Sequence, residues 1–146
     1  LGSWPGWTAP RVGASEIETL LRDVLIRRLE TDAPAESKPR FALFVEGLPD
    51  LANSAADSVL VEAIGLARRN GHLVVTEAEI SEAGGYGNLM TEARQARTGF
   101  ILQPEMADEG LFRTPLGRCA RNDFPPGRGL WVHAFKTARV QLPLVE

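Results

Sequence analysis

FALFV, Phe41 to Val45, is a short unbroken apolar run, closed by Gly47-Leu48-Pro49-Asp50. Such a run fits a strand buried on both faces, as in a parallel sheet with helices on either side. Downstream, Ser54 to Asn70 reads as a helix. Val59, Leu60, Ala63, Ile64 and Ala67 form its apolar stripe, and Gly71 stands where a left-handed C-cap belongs. Leu73-Val74-Val75-Thr76 is the next buried strand. Working outward, a glycine loop at Gly84-Gly85-Tyr86-Gly87 precedes a helix over about Asn88 to Ala96. Phe100-Ile101-Leu102 is a third short strand.

Upstream, Ser15 and Glu18 make a capping box for a helix running to about Thr31. Ile17, Leu20, Leu21, Val24, Leu25 and Leu29 follow at helical spacing. Thr31 to Pro39 reads as a surface linker. In the tail, Pro125-Pro126-Gly127-Arg128-Gly129 is a rigid turn. Leu130 to Ala134 and Arg139 to Leu142 then form a hairpin turning near Phe135-Lys136-Thr137. The order is that of an α/β fold, a three-layer parallel sheet flanked by helices with a C-terminal β-hairpin. The chain divides into an irregular lead-in (1–13), an α/β core (14–123) and a hairpin (124–146), within one domain. Ligands of such sheets sit at the carboxyl ends of the strands, here Glu46-Gly47 and Thr76-Glu77.

The 146 residues suffice for one sizeable core. No apolar run approaches the roughly 20 residues that span a membrane, and the N-terminus carries no signal-peptide pattern. Leu1-Gly2-Ser3 reads as an expression scar or as the middle of a longer protein. The lone Cys119 cannot make an internal disulfide, so a cytoplasmic setting is expected. One cysteine and two histidines, His72 and His133, make no zinc pattern, and no metal is expected. The net charge of −3 argues against a nucleic-acid module. From Arg94 onward, however, there are eight Lys/Arg against five Asp/Glu. That asymmetry reads either as chance or as a contact surface.

Several segments resemble FtsK/SpoIIIE-type ATPase domains, over roughly Arg40 to Pro143. FALFVEGLPDL (41–51) stands where such domains carry the second nucleotide motif, a hydrophobic strand ending in acidic residues. GLARRNGHLVVT (65–76) is similar to the helix and strand that follow it. EARQARTGFILQPE, ADEGLF, DFPPGRGLWV and VQLP, between Ala93 and Leu142, look like the end of these domains, and in particular of actinobacterial FtsK-like proteins and the EccC motors of type VII secretion. The resemblance implies a partial RecA-like core in a larger, ring-forming motor. Its partners would be other domains or subunits of that motor, and DNA or a secreted protein as cargo. The setting would be cytoplasmic, with no membrane insertion by this chain although the parent can be membrane-anchored. An intact relative would bind ATP and magnesium.

The departures are as informative. No G-x-x-x-x-G-K-S/T is present, and the only lysines are Lys38 and Lys136. Active relatives place two acidic residues at the strand end, one for the magnesium shell and one for the attacking water. Here Glu46 holds the first position and Gly47, which can position no water, holds the second. No cofactor is therefore expected for this chain. The reading is a non-catalytic module acting in assembly, regulation or docking. The alternative is the C-terminal part of an active translocase domain whose P-loop lies upstream of residue 1.

Arg94 and Arg97, three apart on one helical face, are candidate phosphate or partner contacts, as is Arg128. The other reading of the pair is a solvated helix end. Arg118, Arg121 and Arg128 read as partners of Asp108, Glu109 or Asp123, or as contacts to a nucleic-acid backbone or acidic peptide, and no aromatic interleaving supports base stacking. Trp131 reads as core, with Trp4 and Trp7 packed at a sheet edge. Arg118 and Arg121 would lower the pKa of Cys119. His72 reads as structural.

Overall fold

The computed structural model describes residues 13–27, 41–105 and 108–143. The expectations for Trp4, Trp7 and the linker from Thr31 to Pro39 lie outside these residues, as does the end of the first helix. The described residues divide into two compact units, one of 13–78 with 85–93 and one of 79–84 with 94–143.

The first unit opens with α1, Ala14–Leu20, continued by a π-helical stretch, Leu21–Ile26. The helix starts one residue before Ser15. Gly13 is its N-cap without any side-chain cap, so no capping box forms. Glu18 instead accepts from Arg22 Nε at 3.1 Å. Strand β1, Ala42–Val45, leads into a four-residue helix α2, Leu48–Leu51, then α3, Asp57–Arg69, and strand β2, Leu73–Thr76. The start of α3 falls three residues after Ser54, whose hydroxyl donates to the Leu51 carbonyl and accepts the Ala56 N–H, holding a turn instead. Its end is a Schellman motif. The Gly71 N–H donates to the Arg68 carbonyl and the His72 N–H to the Ala67 carbonyl, with Gly71 at φ 73.

β1 and β2 pair in parallel, Ala42 opposite Leu73 through Val45 opposite Thr76. α3 lays Val59, Leu60, Ala63 and Ile64 into a core with Leu21, Ile26, Val45, Leu48, Leu89 and Met90. The last two belong to α5, Asn88–Arg94. Only one face of the sheet is buried, contrary to the two-sided burial expected of the apolar runs. On the other face Phe44, Leu73 and Val75 are 47%, 55% and 40% exposed.

The second unit begins with the single turn α4, Ile80–Ala83. Its sheet joins β3, Gly99–Leu102, to β4, Arg128–His133, and β5, Lys136–Gln141, in the order β3-β4-β5, all antiparallel. The third strand of the expected parallel sheet is therefore an edge of a separate antiparallel sheet. The architecture is mixed α/β, with two parallel strands and three antiparallel ones. Gly129 fits the register because its missing Cβ leaves room for the Ile101 carbonyl across the pair. The hairpin is present, but its turn is Ala134-Phe135, one to two residues earlier than read, with both φ values positive as in a type I′ turn. Pro126 and Gly127, the latter at φ 78, form a turn closed by Arg128 N–H to the Pro125 carbonyl at 2.9 Å. Ile101, Leu116, Phe124, Leu130 and Val132 make this unit's core, with Phe112 from α6, Glu109–Phe112, packed against it.

Candidate functional site

The carboxyl ends of β1 and β2 lie side by side because the strands are in register to their last residues, Val45 and Thr76. Chain geometry then dictates a clasp. The Glu77 N–H donates to the Val45 carbonyl at 2.8 Å, continuing the ladder by one bond. Beyond it, the Leu48 N–H donates to the Glu77 carbonyl at 2.9 Å, and the Gly47 N–H donates to Glu77 Oε2 at 2.9 Å. Glu77 thus holds the turn after β1 with both its backbone and its carboxylate.

Gly47 is the residue that lets this happen. It sits at φ 62, ψ 45, in the left-handed region, as N-cap of α2. A Cβ there would come within 3.2 Å of Asp50 Oδ2. The position read as a missing second acid is therefore a backbone requirement of the turn. Glu46 beside it is exposed, with no hydrogen bond or ion pair among the described residues. Chemically, the strand ends present one exposed carboxylate and one carboxylate engaged on a main-chain N–H. His72 stacks on Phe41 with ring centroids 4.0 Å apart, at the other end of the strands.

The three candidate arginines are not brought together. Arg94 closes α5 and its Nη1 donates to the Ala83 carbonyl at 2.8 Å. Arg97 has left the helix, in left-handed backbone at φ 47, so the pair does not share a helical face. Its guanidinium lies over the Phe135 ring, 5.9 Å from the centroid. Arg128 opens β4, where its Nε donates to Gln141 Oε1 at 3.3 Å. Phe135 and Arg128 mark opposite ends of the hairpin, roughly 16 Å apart along the strand.

The acidic partners differ as well. Asp108 accepts the Glu105 N–H at 2.7 Å, Glu109 accepts the Leu116 N–H at 2.9 Å, and Asp123 faces Arg139 at 3.8 Å. Arg118 takes none of them. Burial, with the Asp108 and Glu109 carboxylates, pushes the Cys119 thiol up, opposite to the expected lowering. Arg139 is the one cation that opposes this. Trp131 is half-buried rather than core, paired with exposed Phe100.

Among the described residues no group of three or more His, Cys, Asp or Glu is arranged to hold a metal ion, and no helix is long and apolar enough to cross a membrane. No family model, curated protein or solved structure matches the chain.

Proposed function

We propose that the chain is a non-hydrolytic, ATPase-like module acting in assembly, regulation or substrate docking within a larger translocation motor of the FtsK/SpoIIIE kind. The observation that carries this reading is the clasp at the strand ends. A hydrolytic site of this kind needs a carboxylate poised on water at the position of Gly47. Here that position is a left-handed glycine whose N–H is bonded to Glu77. The β1–α3–β2 order, with acidic residues at the carboxyl ends, supports kinship with nucleotide-binding sheets. Each of the two parallel strands has one edge unpaired among the described residues, which suits a sheet completed by strands from elsewhere in a parent domain.

A second reading has its own support. Glu46, exposed and unengaged at the end of β1, stands where a magnesium-shell carboxylate stands in active relatives. The two readings separate in one experiment on a longer protein that carries this chain. Titration with a fluorescent ATP analogue and steady-state turnover are measured for the native protein and for Glu46→Gln. A module without hydrolysis predicts unchanged turnover. Loss of turnover in Glu46→Gln would overturn it in favour of the active-domain reading.

A further inference from the structure

The antiparallel sheet buries one face and bares the other, and the bared face is aromatic. Ile101, Leu130 and Val132 point into the core. The alternate positions place Phe100 opposite Trp131 and Leu102 opposite Gly129. Phe100 and Leu102 are 53% and 50% exposed. The Phe100 and Trp131 rings lie 4.5 Å apart at 46°, and the Trp131 and His133 rings 6.2 Å apart at 13°. Thr98 Oγ1 holds His133 Nδ1 at 3.1 Å, fixing the end of the row. On the far strand the register sets Ala138 opposite Trp131, between Val140 and Lys136 on the same face. The solvated face of an antiparallel sheet ordinarily carries polar residues. Exposed Phe100 and His133 flank the half-buried Trp131, and an aromatic patch of this kind suits a binding surface.

Charge selects the occupant. From Phe124 to Pro143 there is no Asp or Glu, against Arg128, Lys136 and Arg139. Arg139 is paired with Asp123. Lys136, paired with His133, and Arg97, over Phe135 in the adjoining turn, remain at the turn end of the aromatic row. Flat π faces bordered by cations are what unpaired bases and their phosphates require. A second copy would bring Lys136 and Arg97 against their own copies, and like charges face to face are unfavourable. An apolar peptide would leave both cations without a partner. We propose that the face formed by Phe100, Leu102, Trp131 and His133 binds single-stranded nucleic acid by base stacking, with Lys136 and Arg97 meeting its phosphates. No residue of the strand-end clasp takes part, so the site stands or falls separately from the motor reading.

The test is fluorescence anisotropy of a short fluorescein-labelled oligothymidylate titrated with the full chain at several salt concentrations. Binding is expected, with log K falling against log salt by about 0.7 per phosphate neutralised. Phe100→Ser removes one stacking ring from an exposed position and is expected to weaken binding about tenfold. Lys136→Glu, also exposed, is expected to weaken binding and to reduce the salt slope by at least about 0.7. Trp131→Tyr keeps a ring and is expected to bind within about threefold of the native chain. Circular dichroism melts confirm that each variant is folded. Absence of binding, native affinity in both Phe100→Ser and Lys136→Glu, or tighter binding to the matching duplex would overturn the proposal. So would sedimentation showing a dimer that Phe100→Ser dissolves, since the face would then serve self-association.

Discussion

At Gly47 the backbone explains the residue better than any lost chemistry does. The turn after β1 needs φ near 62, and a side chain there enters the left-handed region and approaches Asp50. Left-handed backbone costs an ordinary L-residue about 1–2 kcal/mol. Gly47→Ala should therefore lower stability by about that much in urea melts, while Gly47→Asn, which tolerates this region, should cost less. Gly47→Glu should be destabilised like alanine and should give this chain no ATPase activity, since no G-x-x-x-x-G-K-S/T accompanies the restored carboxylate. The apolar run before Gly47 made β1 legible in the sequence. The turn was not, because its geometry depends on a carboxylate thirty residues away. Cys119 has the same lesson. Its sequence neighbours are arginines, but burial and the carboxylates of Asp108 and Glu109 hold its pKa above the ordinary 9.0. The thiol form is therefore favoured in the fold. That contribution to stability is complete below pH 9 and is lost as pH climbs through the raised value. Ellman's reagent at pH 8 should react several-fold more slowly with the folded chain than with the urea-unfolded one.

At the scale of elements, the short apolar runs identified strands correctly and their faces incorrectly. Period and composition cannot say whether a strand is covered once or twice, and Phe44, Leu73 and Val75 stay partly exposed. Nor could they say that Phe100 pairs with Trp131, thirty-one residues on, since pairing is a property of register. The aromatic row is invisible along the chain for that reason. Gly129 is the element-scale test of this register. A Cβ at that position would drive into the Ile101 carbonyl, an atom held by the β3–β4 pairing. Neither strand can yield without breaking ladder bonds. Gly129→Ala should cost about 2–4 kcal/mol in thermal or urea unfolding, and weakened amide protection should extend along both β3 and β4.

At the scale of the molecule, the two cores share no member. One collects Leu60 with Leu21, Val45 and Leu89, the other Leu130 with Ile101, Phe124 and Val132. Deleting a buried leucine to alanine removes its transfer free energy and leaves a cavity, together about 2–5 kcal/mol. Each cavity relaxes only through the side chains around it. Leu60→Ala therefore loosens the first set of residues and Leu130→Ala the second. Mutations without shared partners add to within about 0.5 kcal/mol. A double-mutant cycle of Leu60→Ala and Leu130→Ala, read by urea unfolding, should return a coupling energy inside that limit. Hydrogen exchange should place the loss of protection from Leu60→Ala in α3 and β2, and that from Leu130→Ala in β3, β4 and β5. A coupling well above 1 kcal/mol would overturn the assignment of Leu60 and Leu130 to separate cores.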